Sequence, residues 1–195
     1  ARENWWGDSY GPRNENSNSV GLGNSVGDSV LYRPFYTDSA KTVPSTSTIS
    51  PDSLSSLFTT GAFSVPSSAT TGSTPSVTTN EALTINVAVT GGTHSISLPA
   101  GTVITKTDGT NLDATALSSS NVSASSLTGL GTGVVADGAL QWGIPNIGLT
   151  FSTPITLSIF VGTALNGQIL NVVRSVDGIT WTSDGIEPPK TCTVA

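Results

Sequence analysis

Beyond residue 76 period-two alternation recurs wherever the apolar residues of this chain concentrate, and helical spacing is almost absent. In "ALTINVAVT" (82–90), Leu83, Ile85, Val87 and Val89 point one way and Thr84, Asn86, Ala88 and Thr90 the other, as a strand with one face on a core requires. The same pattern predicts strands at "HSISL" (94–98), "TVITKT" (102–107), "GALQWGI" (138–144), "GLTFS" (148–152), "ITLSIFV" (155–161), "QILNVVRSV" (168–176) and "ITWTS" (179–183). Asp-Gly pairs at 108–109, 177–178 and 184–185 supply the positive backbone dihedrals of two-residue turns, so hairpins are expected there. Short strands spaced about ten residues apart predict an all-β chain, with 76–195 forming one antiparallel β-sandwich.

Upstream the pattern changes. Residues 43–75 are dominated by Ser, Thr and Pro, with apolar islands at Leu54, Leu57, Phe58, Phe63 and Val65. The islands predict a connector docked on its neighbours rather than a free linker. "SPDSLSSLF" (50–58) predicts one or two helical turns, capped by Ser50 or Asp52, with Leu54, Leu57 and Phe58 on one face. Residues 1–42 are dense in Gly, Asn and Asp; they begin with the adjacent Trp5 and Trp6 and end near an aromatic patch of Tyr32, Phe35 and Tyr36.

Composition narrows the function classes. Charged residues are only 10% of the 195, whereas Ser and Thr fill roughly three positions in ten, giving a hydroxyl-rich surface. The net charge is -6, and seven Lys and Arg scattered singly cannot build the positive stripe that a nucleic-acid backbone needs. The longest apolar run, "PITLSIFVG" (154–162), is half the length of about 18 that spans a membrane. A single cysteine, Cys192, rules out an internal disulfide framework and a multi-cysteine metal site. Few lysines, abundant Gly and no Met point to an extracellular or cell-surface setting, and the start at "ARENWW" reads as a mature or excised product.

Two stretches carry family resemblances. "NWWGDSYGP" followed by "GLGNSVGDSVLYRPF" resembles the last coil of right-handed parallel β-helix repeat proteins, with Phe35 where that pattern usually has Trp. The resemblance implies a cap: a solenoid cannot leave its last apolar cross-section in water, so Trp5 and Trp6 would form a lid, with Tyr32 and Phe35 as further capping residues. The residues alone also admit ordinary core aromatics of a small domain, or a sugar-stacking platform of Trp5, Trp6 and Tyr10. Adjacent strand residues face opposite sides, so at most one Trp could serve such a platform. "GALQWGIPNIGLTFSTPITLSIFVG" (138–162) resembles the β-sandwich module shared by ankyrins, netrin receptors and tight-junction scaffold proteins, which bacterial surface proteins also carry. That module ends in a "C-T-V-x-x-G-x-C-x-F" segment, read here as "TCTVA", so the resemblance implies that the partner of Cys192 and a closing strand are missing. Two accounts fit such unfinished ends: excision from a longer protein, or strand complementation between copies.

Candidate chemistry is sparse. His94 is the only histidine, and "TGGTHSISL" holds no nucleophile elbow, so it reads as a strand-start residue near solvent. Related sandwich modules cleave themselves at a His-Phe-Ser site, a stretch absent here. Among thirteen acidic residues, Asp108, Asp137, Asp177 and Asp184 sit in Gly turns that favour Asp for backbone reasons. Residues 8–18 are rich in oxygen ligands for calcium, but Asp8 and Glu15 are their only carboxylates. Lys106 reads as a solvent-exposed polar-face residue, with a cross-link to Asn as the rarer option, and "NVS" (121–123) is a glycosylation-type tripeptide in a Ser-rich loop. No catalytic, cofactor-binding or metal-binding residue is expected; Trp5, Trp6, Tyr32, Phe35 and Cys192 are the candidates for assembly or capping. The expected function is a non-enzymatic extracellular structural or adhesive surface protein, partnered by other copies of itself or by the rest of a longer surface protein. The alternative is a non-catalytic, glycan-binding appendage of a polysaccharide-active enzyme.

Overall fold

The computed structural model describes residues 4–15, 21–27, 30, 32, 35–43, 45–49, 54, 57, 61–64, 76–113, 116–187 and 190–195, and of 46–49 the backbone alone. Among these the chain is all-β. Its strands are β1 (Pro12–Arg13), β2 (Gly23–Ser25), β3 (Thr46–Ile49), β4 (Phe63–Ser64), β5 (Ser76–Thr79), β6 (Ala82–Val89), β7 (Gly92–Leu98), β8 (Val103–Lys106), β9 (Ser118–Asn121), β10 (Leu140–Gly143), β11 (Leu149–Phe151), β12 (Thr156–Ser158), β13 (Ile169–Asn171) and β14 (Thr191–Thr193). No helix among the described residues is long and apolar enough to cross a membrane.

The clearest alternation in the sequence becomes the longest hairpin. β6 and β7 pair from Leu83 with Leu98 to Val89 with Gly92, around a two-residue turn in which Gly91 adopts φ 83°. Leu83, Ile85 and Val87 are buried on one face of β6, and His94, Ile96 and Leu98 on one face of β7. β12 adds to β7 antiparallel and β3 adds to β6 in parallel, giving the order β12-β7-β6-β3. A second sheet, β11-β8-β5-β4, is antiparallel throughout. The smaller pairs are β1 with β2, which is parallel, and β9 with β10 and β13 with β14, which are antiparallel.

Both four-stranded sheets feed one apolar cluster. Leu83, Ile85, Ile96 and Leu98 meet Val77 of β5, Ile104 of β8 and Phe63 of β4, all at 3% exposure or less. Full burial of such side chains contributes about 1.5–3 kcal/mol each. The upstream apolar islands join the cluster: Leu54, Leu57 and Ala62 are buried in it. Backbone bonds tie them down, with the Leu54 N–H donating to Leu117 O (3.2 Å) and the Asn80 N–H to Ala62 O (2.7 Å). Polar burial is matched too. The Thr102 N–H donates to Thr79 Oγ1 (2.9 Å), and both threonine hydroxyls donate to Pro99 O, so the turn 99–102 is closed by side chains.

Several expectations fail for identifiable reasons. None of the three Asp-Gly pairs makes a two-residue hairpin. β8 pairs with β5 and β11 rather than with a strand following Asp108, and Asp177 lies in a longer loop closed by the Arg174–Thr182 bridge. The tight hairpin turn forms instead at Thr90–Gly91, where two long alternating runs are adjacent. The expected strands at 155–161 and 168–176 shrink to three residues each, and 179–183 keeps only the bridge at Thr182. In these stretches only Ile155 packs against the core cluster, and Leu157, Ile169, Val173, Val176 and Ile179 are exposed. The Ser-rich 118–121, read as loop, is β9, held by the register of β10. "TCTVA" supplies β14, which pairs within the chain with β13. The helical turn expected at 50–58 falls largely outside the described residues.

Candidate functional site

His94 is not near solvent. It is 2% exposed on the third residue of β7, opposite Val87. The cause lies 66 residues away: the Phe160 N–H donates to His94 Nδ1 (3.0 Å), and the Phe160 ring lies so close to Gly92 that a Cβ there would sit 2.5 Å from it. The double glycine thus has two uses, Gly91 for the turn and Gly92 for the ring. With Nδ1 accepting, the proton of the neutral imidazole sits on Nε2. That tautomer is opposite to the one in which a Ser–His–Asp base donates from Nδ1 to a carboxylate.

His94 forms part of the wall of an open cleft of about 340 Å³ that also meets Asn121, Ser123, Asp137, Phe160 and Val161. Four chain segments converge there: the β6–β7 hairpin, the end of β9, the turn before β10, and the stretch after β12. Gly138 permits the approach, because a Cβ on it would meet Ile159, Val161 and the Phe160 carbonyl at 2.9–3.1 Å. Among the described residues, the side chains of Asn121 and Asp137 make no hydrogen bond or ion pair, while Ser123 Oγ is 2.9 Å from Ser125 Oγ.

The predicted aromatic residues do gather in part. Tyr32 and Phe35 are buried with ring centroids 6.5 Å apart at 38°, and the Phe35 ring covers Gly11, whose φ of 75° and absent Cβ leave room for it. Trp5 and Trp6 are half-buried. The Asn24 N–H donates to Trp6 O (2.9 Å) and the Tyr36 N–H to Asn4 O (3.0 Å), which fixes the tryptophan segment between β2 and the aromatic patch. The indole Nε1 of Trp6 is buried and finds no acceptor among the described residues. Cys192 is not part of this group: it is a free, exposed thiol on β14 opposite Leu170.

Other carboxylates serve turns. Backbone N–H groups of Thr180 and Ile179, then the Thr180 and Ser175 hydroxyls, hold the Asp177 carboxyl well below the usual range. Asp108 is lowered by the Thr110 N–H and hydroxyl and by Lys106, whose Nζ is 3.3 Å away. Lys106 is therefore largely covered, at 15% side-chain exposure, rather than free on a polar face. Asp38 is lowered by the Thr42 hydroxyl and the Val43 N–H. Asp8 accepts the Tyr10 N–H (2.9 Å), and no group of three His, Cys, Asp or Glu among the described residues is placed to hold a metal.

Sequence reasoning missed the convergence on His94. Its only local signal is the pair Gly91–Gly92, separated from the histidine by Thr93; Asn121, Asp137 and Phe160 reach the cleft through long-range pairing alone. No family model matches the chain, and no curated protein and no solved structure matches it.

Proposed function

We propose that this chain is an extracellular structural or adhesive segment, without a reaction centre, that associates with other copies of itself or with the rest of a longer surface protein. The observation carrying this reading is a strand edge that keeps apolar groups in water. β12 ends its sheet with all three residues exposed, Leu157 at 48%, and β13 exposes Ile169 at 71%. Such an edge is a template for another strand. β14 is paired on one side only, to β13, whereas β12 ends a four-stranded sheet backed by the core, so β12 is the edge we assign to a second copy.

Further observations support the parts. Two four-stranded sheets contributing to one apolar cluster are the arrangement a β-sandwich needs. The parallel pairing of β1 with β2 beside the Trp6, Tyr32 and Phe35 rings supports a β-helix cap, because a parallel solenoid ends in parallel pairs. The His94 tautomer supports a non-enzymatic role. Scarce charge and abundant hydroxyls support an extracellular location. Sedimentation velocity across a concentration series tests the reading: species above the 19.8 kDa monomer should grow with concentration and recede in Leu157→Lys. A monomer at every concentration would overturn self-association.

A second reading, a non-catalytic carbohydrate-binding appendage, is favoured by one feature, the cleft at His94.

A further inference from the structure

We propose that the cleft beside His94 binds one unit of a neutral saccharide, with the imidazole Nε2–H and the Asp137 carboxylate holding neighbouring hydroxyls and Phe160 with Val161 forming the apolar floor. The inference rests on the carbohydrate-binding reading and gives it a site.

His94 carries a donor that no described residue accepts. The residue is 2% exposed and lines the cleft, its Nδ1 accepts the Phe160 N–H, and no described residue accepts its Nε2–H, which leaves that hydrogen bond for whatever fills the cleft. Asp137 adds an acceptor with no partner, and Asn121 adds an amide able to donate and accept. One fixed donor, one charged acceptor and one amide around an apolar patch match vicinal hydroxyls on a ring with a C–H face. A volume of about 340 Å³ is at the small end of ligand sites, enough for a single sugar unit.

The same residues argue against other classes. An anion would meet the Asp137 carboxylate in a chain of net charge -6, with no Lys or Arg in the cleft wall. A cation would find a single carboxylate and an imidazole whose two nitrogens are committed, one as acceptor and one as N–H. The frame is rigid where it matters, because His94 stands on the hairpin that carries the core.

As His94 is the sole histidine, its imidazole nitrogen signals identify themselves in an NMR titration of the labelled full chain. The probes are glucose, galactose, mannose, N-acetylglucosamine and their tetrasaccharides. At least one should shift the Nε2 signal and the Phe160 amide saturably, with Kd on the order of 1 mM. Asp137→Asn, on an exposed turn that leaves folding intact, should weaken binding roughly tenfold, while Leu22→Lys, an exposed position away from the cleft wall, should leave it unchanged. No response of the His94 signals at about 100 mM of every probe would overturn the proposal. Shifts confined to the Trp5 and Trp6 indoles would overturn this site while leaving the carbohydrate-binding reading standing.

Discussion

Residues 76–106 and 152–195 are both written in short apolar alternations, yet they are held together differently. In the first, Val77, Leu83, Ile85, Ile96 and Ile104 are wholly buried between two sheets. In the second, no described residue is buried, and Leu157, Ile169, Val173, Val176 and Ile179 are exposed. What organises this second stretch is polar: the β13–β14 pair, the Arg174–Thr182 bridge, the Asp177 turn, and the Trp181 Nε1–H donating to Thr128 O (2.7 Å). Alternation makes a strand amphipathic, but only an opposing apolar face converts it into core.

The contrast is open to direct test. Ile85→Ala should cost about 2–5 kcal/mol by denaturant unfolding, whereas Ile169→Ala should stay within about 0.5 kcal/mol. Similar losses at both sites would mean that the second stretch has a core of its own. Hydrogen exchange should rank the same way, slowest in β6 and β7 and fastest in β13 and β14. Thr79→Val keeps the shape but removes the nearer acceptor of the Thr102 N–H, leaving Pro99 O at 3.3 Å, and should cost about 1 kcal/mol.

Gly92→Ala probes the seam between the two stretches. The added methyl must displace the half-buried Phe160 ring, so the loss should be near the low end for overpacking, about 1 kcal/mol, with the Phe160 amide shifted in NMR. An unmoved Phe160 signal would show that the ring does not pack on the hairpin.

The smallest effect is electrostatic. Asp177 has a folded pKa below its unfolded value of about 4, so its contribution is present above that pH and is lost as pH falls through the lower folded value. Because the carboxylate is on the surface, acid should loosen the loop around 175–180 rather than unfold the chain. A carboxyl-carbon NMR titration should show Asp177 titrating below the ordinary range, and Thr180→Val should move its midpoint upward. A midpoint near 4 in the parent chain would contradict the hydrogen-bonded turn.

Much of the frame was legible. The β6 and β7 runs have length, alternation and an adjacent Gly pair, so local pattern and global fold agree there. The islands at Leu54, Leu57 and Phe63 announced docking because isolated apolar groups in a Ser/Thr background have no other use. Asp-Gly misled because Asp bonding to its own following N–H groups stabilises an open loop as well as a hairpin turn, as at Asp108 and Asp177. β9 was invisible for the opposite reason: serines carry no alternation, and its strand geometry is imposed by pairing with Leu140, Gln141 and Trp142. The candidate site was the least legible part, since a lone histidine says nothing about which distant backbone N–H will cap it.

The sequence by itself determined the all-β character, the face of β6 that meets the core, and the hydroxyl-rich, weakly charged surface, because side-chain period and composition are local properties. Tertiary structure alone decided which alternating strands became buried, where "TCTVA" pairs, and that His94 accepts the Phe160 N–H in the wall of a cleft. Those outcomes depend on which segments meet across 20 or more residues of chain, 66 for His94 and Phe160, and a contact of that range is set by the packing of whole sheets rather than by any residue's neighbours in sequence.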